Sequence, residues 1–195
     1  MNDHFFAYLS RMRYIGRWSL MRNSLPENIQ EHSHMVAVLA HALGVIRRDV
    51  FQVPCNPELA ATVALFHDSS EILTGDLPTP IKYHSNEIRD AYKQVESLAC
   101  HKLLQTLPEV LRPAYEPLLA GEAQASVRDL VKAADKLSAY IKCIEERKAG
   151  NNEFLSAEEQ TRKILEEYEM PEVNYFLRHF IPSFELNLDE LGTID

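Results

Sequence analysis

The sequence predicts an all-α, single-domain helical bundle. Nearly every long apolar pattern repeats with the helical period and none alternates at length as a strand does. Glycine is scarce, with 6 in 195 residues, and no repeat, linker or low-complexity tract divides the chain. That length suits one domain, and an apolar fraction of 46% is enough for a buried core.

Taken in order, Phe5, Phe6, Leu9 and Met12 mark a first helix. Gly16 breaks it, and RWSLMRNSLP reads as a loop. Pro26 is placed to open the second helix in its first turn, with Glu27 near the positive end of the dipole. The apolar face of that helix includes Met35, Val38, Leu39 and Leu43, and Arg47 and Arg48 suit its C-terminal end. Asn56-Pro57-Glu58 begins a third helix as cap, first-turn proline and acid. It is expected to run through Leu65 to Leu73 and stop at Gly75, ahead of the turn-rich loop GDLPTP. Helices are expected over 85–107, 108–119 and 126–148, with Gly150 as the stop of the last. Residues 154–168 resume, NYFLRHF forms a short amphipathic piece, and the acidic tail FELNLDELGTID should be loosely held.

The net charge of −9 argues against nucleic-acid polymers and anionic membranes as partners, since both favour basic surfaces. Charge is uneven, however. Residues 1–25 carry Arg11, Arg13, Arg17 and Arg22 against Asp3 alone. Arg11 and Arg13 also fit an ordinary solvated face. Cys55, Cys100 and Cys143 are far apart and form no Cys-x-x-Cys, so reduced thiols are expected. No secretory signal is visible and no run approaches the ~18 apolar residues of a spanning helix. A soluble cytoplasmic protein is the expectation.

The strongest chemical signal is His67-Asp68, where an apolar helical run stops at an imidazole and a carboxylate side by side. His32 lies upstream and Asp135 downstream, each on its own helix. Two imidazoles and two carboxylates suit Mn²⁺, Co²⁺, Fe²⁺, Ni²⁺, Cu²⁺ or Zn²⁺, whereas Mg²⁺ favours more oxygen. Ligands from neighbouring helices are how bundle-core metal sites are assembled. Four protein ligands leave positions for water and a phosphate oxygen. Glu71 follows His67 by four residues and Asp68 by three, so it faces their side and is placed to orient water or protonate a leaving oxygen. Bland readings compete. A histidine is more often packed or solvated than a ligand, and six of the eight are assigned that way, His34 and His41 among them. Asp135 reads as an ordinary exposed acid in isolation, but its apolar neighbours make a cation partner the more economical choice.

The stretches HFFAYLSRMRYIGRWSLMRN, ENIQEHSHMVAVLAHAL, LFHDSSEILTGDLPTPIKY, LVKAADKLSAYIKCIEE, KAGNNEF and FIPSFELNLDE resemble a 5′-deoxynucleotidase of the HD-domain superfamily. The resemblance spans nearly the whole chain. It implies one HD domain over 1–195, with a core at about 26–150, a substrate-contacting segment at 1–25 and C-terminal helices at 151–182. It also implies an HD-type helical bundle, a homodimer, and removal of the 5′ phosphate from deoxyribonucleoside monophosphates. Carried over, the metal ligands are His32, His67, Asp68 and Asp135, holding one divalent transition metal per subunit (Co²⁺, Mn²⁺, Cu²⁺ or similar). Glu71 becomes the general acid, with Arg17 and Asp68 also catalytic. Substrate contacts fall to Arg17, Trp18, His32, Asp76, Leu77, Pro78, Thr79 and Asp135.

These roles make physical sense. An arginine fork suits two phosphate oxygens, a rigid indole against the sugar excludes a 2′ hydroxyl, and Asp76 can accept from a 3′ hydroxyl. Trp18 as a core or lid anchor, and Asp76 as the start of a turn, are the competing readings. Other HD phosphohydrolase activities, on cyclic nucleotides, alarmones or triphosphates, remain alternatives, as does a non-catalytic nucleotide-binding scaffold. The Gly-Tyr-Pro motif of cyclic dinucleotide enzymes is absent from the sequence.

Overall fold

A computed structural model describes residues 3–82, 84–119 and 122–192, with only the backbone described over 122–126. Ten α-helices are formed by the described residues: α1 (Phe5–Leu9), α2 (Ile29–Val45), α3 (Pro57–Phe66), α4 (Glu71–Thr74), α5 (Thr79–Lys82), α6 (Asn86–Gln105), α7 (Arg112–Leu119), α8 (Glu122–Lys148), α9 (Leu155–Glu166) and α10 (Pro171–His179). A 3-10 turn, Ser10–Tyr14, extends α1, and a π-helical turn, Ile46–Val50, extends α2. Among the described residues the β-pairing is a single isolated bridge between Gly16 and Asn28. The all-α expectation holds.

The centre is built by α2, α3 and α8, which pack against one another, with α9 laid on α8. Their shared core includes Val36, Leu39, Leu43, Val63, Leu130, Leu137 and Ile144. Leu43, Leu130, Leu137 and Ile144 are fully buried, so truncating any one to alanine costs about 2–5 kcal/mol. The crossing of α2 with the start of α3 is tight. A Cβ on Gly44 would stand 2.9 Å from the Cα of Pro57, so that position needs glycine. A smaller cluster of Phe5, Leu103, Leu104, Leu107 and Leu119, edged by Phe66 and Tyr115, binds α1, α6 and α7 to the end of α3.

Several boundaries differ from the sequence reading. Asn28, not Pro26, starts α2: its side chain accepts from the backbone N–H groups of Gln30 and Glu31, which a proline cannot do. Val38 is 51% exposed, because the face that meets α3 and α8 runs instead through Ile29, His32, Val36, Leu39, Ala40 and Leu43. The third helix does not continue to Leu73. It ends at Phe66, and tight backbone bonds (Ser69 to Phe66, Glu71 to Asp68, Ile72 to Ser69) carry the chain round a corner into α4. Thr79–Lys82 is a helical turn rather than loop. The helix expected from Ser126 starts at Glu122.

The start of the acidic tail is held. Lys148 Nζ donates to the carbonyls of Phe184 and Leu186, and Arg147 pairs with Glu185. Residues 193–195 lie outside the described ones. Gly150 does end α8, at φ 83°.

Candidate active site

Three elements bring the sequence-nominated residues together. His32 projects from the buried face of α2, His67 and Asp68 sit in the corner between α3 and α4, and Asp135 comes from α8. One ligand atom each from His32, His67 and Asp135 lie within 4.8 Å of one another. Asp68 Oδ2 is 3.1 Å from His67 Nε2 and 3.6 Å from His32 Nε2, and Asp135 Oδ1 is 3.0 Å from His32 Nε2. Despite these distances, both Nε2 atoms are buried without a hydrogen-bond partner. The groups crowd together but do not point at one another, as expected of ligands aimed at a common centre.

The imidazoles are fixed from behind. His67 Nδ1 lies 2.7 Å from the carbonyl oxygen of Ala64. A carbonyl only accepts, so Nδ1 carries the proton and the Nε2 lone pair faces the cluster. His32 Nδ1 is 3.2 Å from Ser138 Oγ, one helical turn beyond Asp135. Such outer partners hold a ligand's ring orientation and tautomer. The His32, His67 and Asp135 atoms at this spacing could hold a metal ion, with the Asp68 carboxylate alongside the two imidazoles.

The electrostatics are those of a compact mixed-charge cluster. Burial works against ionised Asp68, but His67 and then His32 bring its pKa down to about 2. Partial burial is likewise outweighed at Asp135, which His32, His67 and Arg17 hold well below the ordinary carboxylate range. Burial opposes a charged His67 ring, yet Asp68 and Asp135 raise its pKa. Glu71 behaves oppositely: burial, with the Asp68 and Asp76 carboxylates adding to it, pushes its carboxyl up to about 9. Its Oε2 is buried and unpartnered. A carboxyl that keeps its proton at neutral pH, beside the ionised Asp68 and Asp76, has a proton available to give.

Arg17 reaches the cluster from the segment ahead of α2, and Trp18 stands next to it on Glu27. Arg17 Nη1 is 3.5 Å from Asp68 Oδ2 and its Nε donates to Glu27 Oε2 at 3.2 Å. Burial alone would lower the Arg17 pKa, but Asp135, Asp68, Glu27 and Asp76 together raise it. Trp18 Nε1 donates to the same Glu27 oxygen at 2.9 Å, and the indole lies against Phe154 with ring centres 5.3 Å apart. Trp18 adopts φ 59°, a left-handed conformation that costs a bulky residue of order 1–3 kcal/mol.

Asp76 is half-buried, and burial raises its pKa against the pull of Arg17. Leu77 and Pro78 are half-buried and Thr79, at the start of α5, is exposed. His34 and His41 are exposed on α2, as the bland reading held, and so are Arg11 and Arg13. Lys136 is half-buried beside Asp135.

Two contributors were missed in the sequence. The sequence marks Glu27 only as a helix-dipole acid, and no spacing rule links it to Trp18. Ser138 was readable, since it stands three residues after Asp135 on the same helical face.

Residues 4–184 match the family model described as 5′-deoxynucleotidase YfbR-like. The chain belongs to the YfbR-like 5′-deoxynucleotidase family. A 5′-deoxynucleotidase from Erwinia tasmaniensis is 50% identical over 98% of both chains. The 5′-deoxynucleotidase YfbR of Escherichia coli strain Crooks is 49% identical over 97% of this chain and 96% of its own. Among solved structures, an HD-domain phosphohydrolase from Listeria innocua superposes with a TM-score of 0.81 at 27% identity, covering 97% of this chain and 92% of that one. The HD phosphohydrolase DatZ of cyanophage S-2L, bound to dA and one catalytic Zn²⁺, gives a TM-score of 0.57 at 26% identity, covering 92% and 93%. Family membership and helical architecture thus agree with the resemblance drawn from the sequence.

Proposed function

We propose that this protein hydrolyses deoxyribonucleoside 5′-monophosphates to deoxyribonucleoside and phosphate, using one divalent transition metal per subunit. The observation that carries the reading is the convergence of two unpartnered imidazole Nε2 atoms with Asp68 and Asp135, directly beside Arg17 and a buried, protonated Glu71. The names of the YfbR-like relatives, and the dA and Zn²⁺ in the cyanophage enzyme, support it.

Bound at His32, His67, Asp68 and Asp135, the metal supplies Lewis-acid polarisation of the phosphate and a lowered water pKa. The protein's own groups do the rest. The Arg17 guanidinium balances phosphate charge at a position where it already contacts Asp68. Water oxygen bonds to phosphorus as the bond to O5′ breaks. Glu71 gives its proton to O5′, and the proton shed by water restores the Glu71 carboxyl. Trp18, held against Phe154, walls the sugar position and leaves no room for a 2′ hydroxyl. Asp76 to Thr79 form the other side, with Asp76 as acceptor for the 3′ hydroxyl.

No helix among the described residues is long and apolar enough to cross a membrane. A cytoplasmic homodimer, with no nucleic-acid polymer as partner, completes the reading. Its test is phosphate release from a panel of deoxy- and ribonucleotides. Undiminished, metal-independent turnover by a His67→Ala/Asp68→Ala double variant would end it.

A further inference from the structure

Glu27 sits where the segment carrying Arg17 and Trp18 meets the start of α2. Backbone bonds lock the two stretches together: Arg17 N–H donates to the Glu27 carbonyl at 2.9 Å, Ile29 N–H donates to the Ile15 carbonyl at 3.0 Å, and Gly16 pairs with Asn28. The Glu27 side chain, 16% exposed, turns into the site. Its Oε2 accepts from Trp18 Nε1 and from Arg17 Nε, and its Oε1 stands 3.9 Å from His32 Nδ1. One oxygen therefore ties the indole to the guanidinium, and that guanidinium reaches Asp68.

We infer that Glu27 is the positioning residue for substrate selection, holding the Trp18 indole at a fixed offset from the phosphate-binding Arg17. This rests on the deoxynucleotidase reading above and adds to it a residue outside the metal and proton-transfer groups. The physical need is plain. Selection against a 2′ hydroxyl by exclusion works only if the wall does not yield, and a shift of about 1 Å in a positioning group is enough to cost activity heavily. Trp18 has an unfavourable backbone conformation, and its indole meets Phe154 at a tilt of 59° rather than stacked on it, so that contact alone leaves the ring free to turn about its Cβ–Cγ bond. The Nε1 bond to Glu27 removes that remaining freedom. A carboxylate oxygen can accept both bonds at once, and a charged acceptor strengthens them. The alternative is that Glu27 acts only as an acid near the start of α2, which would alter stability without touching selectivity.

Trp18 is the one tryptophan in the sequence, so its fluorescence reports this position without reference to catalysis. Three variants decide the matter in the metal-loaded, full-length protein. Glu27→Met keeps the volume and removes both acceptors, and Glu27→Gln keeps an accepting oxygen without the charge. Glu27→Met is also combined with Trp18→Ala. In Glu27→Met, acrylamide quenching of Trp18 should increase and emission move to longer wavelength. The deoxy-to-ribo ratio of kcat/KM should fall by about tenfold. Glu27→Gln should stay within roughly threefold of the wild-type ratio. In the Trp18→Ala background, Glu27→Met should change the ratio by less than about twofold, because the wall it positions is gone.

An unchanged ratio with unchanged quenching in Glu27→Met overturns the inference, as does an equal loss of selectivity with and without Trp18. If Glu27→Met does not fold, Glu27→Asp, which withdraws the carboxylate from both donors, is read by the same criteria. Failure of the deoxynucleotidase reading would show in the wild-type protein, as no preference for deoxyribonucleotides. Failure of the Glu27 inference would show only in the variants.

Discussion

His32 Nε2 and Asp135 Oδ1 lie 3.0 Å apart, yet the imidazole nitrogen has no hydrogen-bond partner. A buried donor or acceptor left in that state costs about 1–3 kcal/mol. A metal held between the two groups removes the cost. Metal addition should therefore stabilise the protein, by about 2.7 kcal/mol at 100 times the dissociation constant. Thermal melts with Mn²⁺, Co²⁺ or Zn²⁺ check this. The rise should vanish in Asp135→Ala, and Ser138→Ala, which frees the His32 ring, should weaken metal affinity about tenfold.

Glu71→Gln should lower kcat by about 10²–10⁴-fold with metal content unchanged, since the amide fills the same space and cannot release the proton. Steady-state kinetics with metal analysis on the same sample tests it. A kcat within threefold of wild type would remove Glu71 from the mechanism.

Trp18→Ala should raise kcat/KM for ribonucleotides relative to deoxyribonucleotides by roughly tenfold or more, because the sugar wall is lost. An unchanged ratio would leave Trp18 as an anchor for Phe154 alone.

Glu146 is fully buried, and accepts from Ser24 N–H at 2.8 Å, Leu25 N–H at 3.1 Å, Asn151 Nδ2 at 2.8 Å and the Lys142 ammonium. Burial resists its ionisation, but Lys142, Asn151 and the two backbone donors bring its pKa down to about 2. A depressed carboxylate stabilises the folded state above its ordinary pKa, near 4.5, and loses that contribution as pH falls through about 2. The stability advantage of wild type over Glu146→Gln should thus be full at neutral pH and shrink between those values. Denaturant melts across that range measure it. Glu146→Ala, which leaves the buried Lys142 ammonium with the Leu25 carbonyl but no carboxylate, should cost about 3–5 kcal/mol.

The helical architecture was legible because α2, α3, α6 and α8 carry long apolar periodicity and explicit caps such as Asn56 and Gly150. What misled was local. Pro26 looked like a first-turn proline, but Asn28 offered a better cap two residues on. The run through Leu65 looked continuous, but the chain turns at His67-Asp68, and it is the turn that lets both side chains face one centre. Lys148 and Arg147 hold the residues after Phe180, a long-range contact that no local pattern reports. The cluster itself was readable as residue types on separate helices. Glu27 was not, because its role depends on the chain doubling back between Gly16 and Asn28.

The most direct test is phosphate release from paired deoxy- and ribonucleoside 5′-monophosphates by metal-stripped and metal-restored protein, with Asp68→Ala alongside. The predicted result is no release without metal, restored release from the deoxyribonucleotides, little from the ribonucleotides, and none from Asp68→Ala. Equal release with and without metal, or from Asp68→Ala, would contradict the assignment of this cluster as the catalytic centre.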